Sequence, residues 1–161
     1  MIFSYTTHRL GVFAFLWVGL FSITGTGCAV NHGLIERSLE NQNSINKVEN
    51  HTNEATFQLG QDAANNGRIN SAVKVWKPLV NQGHPAALNA MGLVYQSGKG
   101  VDKNLAKSIR YYRRAAEQGF PAAFNNLAVL YEGGEGVPQD FSLAAKYYRR
   151  AAELGNVSAQ Y

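Results

Sequence analysis

The side chains in this chain of 161 residues that could do chemistry are few and unevenly placed. The single cysteine, Cys28, has no partner for an internal disulfide, so it is a stray thiol, an intermolecular partner or an acylation site. His8, His32, His51 and His84 are scattered, with no second ligand at helical spacing, and no metal site is expected. No Ser, His and Asp arrangement points to a nucleophile. The glycine pairs lack the strand and the lysine of a phosphate loop, so neither catalysis nor a cofactor is expected. What does recur is aromatic and basic: Tyr111-Tyr112 followed by Arg113-Arg114 returns as Tyr147-Tyr148 followed by Arg149-Arg150. Tyr112 and Tyr148 read as core, with the hydroxyl reaching a partner at the edge. The arginine pairs read as a solvated face, with an acidic partner or an anionic lipid head group as the sharper alternative.

The ends of the chain differ from its middle. Met1 to Arg9 is short and charged, Leu10 to Ile23 is an uncharged apolar run, and Thr24 to Ala29 is a small-residue exit. That order describes a secretory signal, since the apolar run is shorter than the ~20 residues a spanning helix needs, with an uncleaved signal anchor as the alternative. Cys28 at the exit resembles a bacterial lipoprotein signal, which implies that Cys28 is lipidated and becomes the mature amino terminus. Gly25 stands where that pattern usually has Leu, Val or Ile, and ordinary signal cleavage after Gly27 or Ala29 fits the small residues equally well. The resemblance implies export to the periplasm, with attachment to the outer membrane through the lipid alone. Residues 29–53 are rich in Asn and poor in apolar side chains, a composition that cannot offset chain entropy by burial. They are expected to form a polar tether with at most a weak helix over 34–39. The net charge of +4 is mild and mixed in sign, which argues against nucleic acid as a partner.

The rest of the chain repeats. Gly83 to Gln118 begins again at Gly119, and a third copy starts at Gly155, a period of 36 residues. Each unit reads as two helices. Helix A runs from about Pro85 to Gln96, with proline fitting the first helical position, and it is apolar nearly all round. Helix B follows Asn104, or Asp140 in the next unit, both able to cap an amino terminus. Leu105, Ile109, Tyr112 and Ala116 recur on one face of it, as do Phe141, Ala145, Tyr148 and Ala152. The glycines of Ser97-Gly98-Lys99-Gly100 and Gly133-Gly134-Glu135-Gly136 permit the reversal between the helices. Residues 54–82 form a shorter first unit, with Trp76 in register with Tyr112. The expected architecture is an all-α, right-handed superhelical solenoid of antiparallel helix pairs, with units at 54–82, 83–118 and 119–154 and the start of another at 155–161.

The pattern LGxxYxxGxGVxxDxxxAxxYYxxAAExG resembles the Sel1-like repeat, a relative of the tetratricopeptide repeat. Ser108 replaces a small Ala of that pattern, and Ala128 replaces the Gly of the LG pair. The resemblance implies a non-enzymatic protein-protein interaction scaffold in the bacterial envelope. Its alternatives are a hydrolase of cell-wall material or an exported host-directed factor. By resemblance to tetratricopeptide grooves, helix A lines the concave side, and Asn89, Leu93, Gln96, Asn125, Val129 and Glu132 would meet the partner. Leu154, Val157, Ala159 and Tyr161 lack a succeeding unit, which makes the carboxyl edge a surface for self-association or for a longer repeat array.

Overall fold

The computed structural model describes residues 27–155, with side chains described from 34 onward. Residues 1–26, where most of the expected signal falls, and residues 156–161, where a further repeat is expected to start and which include Val157, Ala159 and Tyr161, lie outside the described residues. Within them are six helices and no strand: α1 (Gly27–Asn65), α2 (Ile69–Gln82), α3 (Pro85–Ser97), α4 (Leu105–Glu117), α5 (Pro121–Gly133) and α6 (Phe141–Glu153). The protein is an all-α repeat solenoid in which α3 packs on α4 and α5 on α6, and α4 hands over to α5.

Local chemistry sets these boundaries. Pro85 and Pro121 open α3 and α5, where a missing amide donor costs nothing. The Oδ1 atoms of Asn104 and Asp140 accept from the amides of Lys107 and Leu143, each at 2.9 Å, and so cap α4 and α6. Residues 29–53 correct one expectation, because they run as helix inside α1 instead of as irregular chain. Between Gly33 and Gly60 there is neither glycine nor proline, and hydroxyl and amide side chains bond back along the helix, as Thr52 does to the Val48 carbonyl and Gln58 to Glu54. Side chains 34–52 are nonetheless all exposed. Scarce apolar residues denied this segment a core without denying it a helix.

In the repeats, one aromatic ring per unit crosses from helix B to helix A. Trp76 packs over Gly60 and Tyr112 over Gly92, each so closely that a Cβ on the glycine would overlap the ring. Both rings are buried and each places its polar tip on helix A, Trp76 Nε1 donating to the Phe57 carbonyl at 3.1 Å and Tyr112 Oη to Gln96 Oε1 at 2.7 Å. Tyr148 Oη donates likewise to Glu132 Oε2 at 2.7 Å. Successive units meet through the second glycine of the turn. Gly100 rests on Ile69 and Gly136 on Leu105, where an added Cβ would lie 2.9 and 2.6 Å from the isoleucine and leucine Cβ atoms. Phe141 stands one period after Leu105 and is 64% exposed. The apolar face expected on α6 is therefore open at Phe141 and Ala145, because such a face buries only when the next turn covers it.

Ser108 is fully buried, and its Oγ makes no hydrogen bond of acceptable geometry although it lies close enough to the Tyr112 phenol to offset part of the effect of burial there. The corresponding positions one period away, Ala72 and Ala144, are buried alanines. An unsatisfied buried hydroxyl costs about 1–3 kcal/mol, and alanine is also the better helix former. Ser108→Ala is therefore expected to raise the unfolding free energy by about 1 kcal/mol in urea titration, and a loss of stability would mean that the hydroxyl has a partner after all.

Candidate functional site

The six positions assigned to a partner surface divide in the structure. Asn89, on α3, is buried, and its Oδ1 accepts from Asn126 Nδ2 on α5 at 2.9 Å, so it joins one helix A to the next. Gln96 and Glu132 accept the Tyr112 and Tyr148 hydroxyls. Asn125 is half-buried. Leu93 and Val129 remain, one period apart, 47% and 42% exposed on helices that are otherwise largely covered. An apolar pair in matching register on successive units can seat apolar side chains of a partner, whereas scattered exposed apolar residues need no explanation. Cys28 lies in α1, and its side chain is outside the described residues.

A second cluster gathers where α4 crosses α3. The Tyr95 and Tyr111 rings stack at 5.7 Å between centroids and 12° between planes, and Lys107 Nζ lies 5.1 Å above the Tyr95 ring. With Arg110 and Arg114 they line a pocket of about 180 Å³. One period on, Lys146, Tyr147, Arg149 and Arg150 line another of about 410 Å³ with Phe124 and Glu153. Arg113 is no loose surface charge: its Nη2 donates to Tyr131 Oη at 2.7 Å and ties α4 to the next unit. Arg114 Nη2 reaches back to the Val80 carbonyl at 3.4 Å, touching the preceding unit. The aromatic and basic pairs stood out in the sequence, but the pocket also needs Tyr95 and Lys107. Their signal was faint: a tyrosine on helix A and a lysine one turn before Tyr111.

The Tyr112 and Tyr148 hydroxyls serve as donors across the neutral range. Burial pushes the Tyr112 phenol well above its ordinary value. Burial, and then the hydrogen bond and charge of Glu132, raise Tyr148 to about 12. Burial and then the neighbouring Tyr131 raise Tyr147, while Arg113 pulls it the other way. Among the described residues there is no cluster of three or more His, Cys, Asp or Glu side chains that could hold a metal, and no helix is long and apolar enough to cross a membrane.

Residues 85–120 and 121–156 match the Sel1 repeat family model. Among solved structures the chain is similar to a Sel1 repeat protein from Oxalobacter formigenes, at 33% identity and a TM-score of 0.61, over 66% of this chain and 45% of that one. It is also similar to a protective antigen of uropathogenic Escherichia coli strains displaying an SLR fold, at 32% identity and a TM-score of 0.61, over 69% of this chain and 25% of that one. Helicobacter pylori cysteine rich protein B shares the fold at 20% identity and a TM-score of 0.59, over 73% of this chain and 92% of that one. The chain thus spans less than half the length of the first two. No curated protein matches it.

Proposed function

Because the chain belongs to the Sel1 repeat family, with repeats at 85–120 and 121–156, we propose that it is a non-catalytic scaffold that holds another protein in the bacterial envelope. Sel1 repeats generally mediate binding to other proteins. The observation that carries the reading is the pair Leu93 and Val129, left exposed in matching register on consecutive helix A segments. The partner lies along that face, on the concave side, with Asn125 beside the apolar pair. Gln96 and Glu132, whose oxygens are engaged by tyrosines, shape its rim. Capture from an envelope extract tests this reading. A protein recovered in stoichiometric amount supports it, and hydrolysis of cell-wall polymer by the pure chain would replace it with the hydrolase alternative.

The envelope setting rests on the amino-terminal sequence. Cys28 follows an apolar run and two small residues, which supports export and acylation at that thiol. Cys28→Ser is expected to move the mature protein from the membrane fraction to the soluble one. An unmodified amino terminus at or after Ala29, read by mass spectrometry, would show cleavage without lipid.

A further inference from the structure

We infer that the pocket formed by Tyr95, Lys107, Arg110, Tyr111 and Arg114 is a docking site for an acidic side chain of an extended partner peptide. The inference deepens the scaffold reading and rests on it. Three features carry it. The first is unspent charge: neither Lys107 nor Arg110 meets a carboxylate among the described residues, and the ion pair found there is Arg150 with Glu153 at 3.0 Å. The cations Lys107, Arg110, Arg113 and Arg114 outnumber the single carboxylate of α4, Glu117, and repel one another, a repulsion that a bound carboxylate relieves. The second is shape. The stacked Tyr95 and Tyr111 rings form a flat apolar wall beside the cations, and about 180 Å³ accommodates one side chain. The methylenes of a glutamate can lie on the rings while the arginine fork takes its two oxygens.

The third feature is repetition with a difference. The pocket recurs one period later around Lys146, Tyr147 and Arg150, where Leu143 stands in place of Lys107, Glu153 pairs with Arg150, Lys146 and Arg149 meet no carboxylate among the described residues, and Phe124 enlarges the apolar wall. The first pocket therefore suits an acidic side chain, and the second, with a larger apolar wall beside Lys146 and Arg149, suits a further acidic side chain flanked by an apolar or aromatic one. Both pockets are recesses walled by aromatic rings, a shape that seats the side chains of a peptide better than it fits the flat anionic surface of a membrane. The broader field agrees: residues 68–155 carry twelve basic and six acidic side chains, whereas 34–62 carry two basic and five acidic. An acidic segment is steered to the repeats.

The test uses the full chain and a fluorescein-labelled peptide of alternating glutamate and phenylalanine, read by anisotropy at low ionic strength. Lys107→Gln with Arg110→Gln removes two exposed cations that hold no other contact through their charge except Lys107 over Tyr95, so the fold is kept, as circular dichroism will register. Binding is expected to weaken roughly tenfold. Lys74→Gln with Lys77→Gln removes the same charge from exposed positions on α2 and is expected to change binding by less than about twofold. Equal losses in the two variants, or no binding of the peptide by the wild-type chain, would overturn the assignment. So would pocket-dependent binding of phosphatidylglycerol vesicles in place of the peptide. The scaffold reading survives any of these results, since it depends on capture through Leu93 and Val129.

Discussion

Gly136→Ala is expected to destabilise the protein by roughly 2–4 kcal/mol, and Gly119→Ala by only about 1–2 kcal/mol. The two glycines share a left-handed backbone, with φ of +73° and +75°, so a side chain at either one pays the same conformational penalty. They differ in what surrounds them. A Cβ at Gly119 meets nothing within 4 Å, whereas one at Gly136 would lie 2.6 Å from Leu105 Cβ and 3.3 Å from Ile109 Cδ1 on the preceding unit. The excess at Gly136 is therefore the cost of prising one repeat from the next. A chain of this kind has about 5–15 kcal/mol in all, so the excess will be plain in urea denaturation monitored by circular dichroism. Equal losses at the two positions would mean that the turn does not bear on the preceding unit. Gly100, which rests on Ile69 one period earlier, is bound by the same argument.

How far the sequence carried the account depends on what each residue has to satisfy. Helix starts at Pro85 and Pro121, the caps Asn104 and Asp140, and the buried Tyr112 were legible because their constraints are local or repeat with the period. The partner surface was less so. Helix A is apolar nearly all round, so periodicity alone cannot say which side faces out, and Asn89 turned inward to meet Asn126, a residue 37 positions away. Gln96 and Glu132 were engaged by hydroxyls from helix B, 16 residues on, a pairing that needs the fold of the unit to be seen. On α6, Phe141 and Ala145 matched a packing pattern whose covering turn is absent from the described residues. Helix α1 escaped notice for a different reason. Its composition speaks to burial, and it buries little over 34–52, yet uninterrupted helix-compatible residues suffice for the backbone.

The second large effect is on partner capture. Leu93→Lys with Val129→Lys is expected to weaken it by at least about a hundredfold, since each apolar side chain buried by a partner contributes about 1.5–3 kcal/mol and the two act on one ligand. Both positions are more than two-fifths exposed and lysine is a good helix former, so the melting temperature should stay close to that of the wild type. The direct measurement is quantitative capture from an envelope extract with the wild-type chain and with this double variant, both checked for equal helicity. The account predicts a protein retained stoichiometrically by the wild type and lost from the variant. Recovery of the same proteins in the same amounts with both would contradict it.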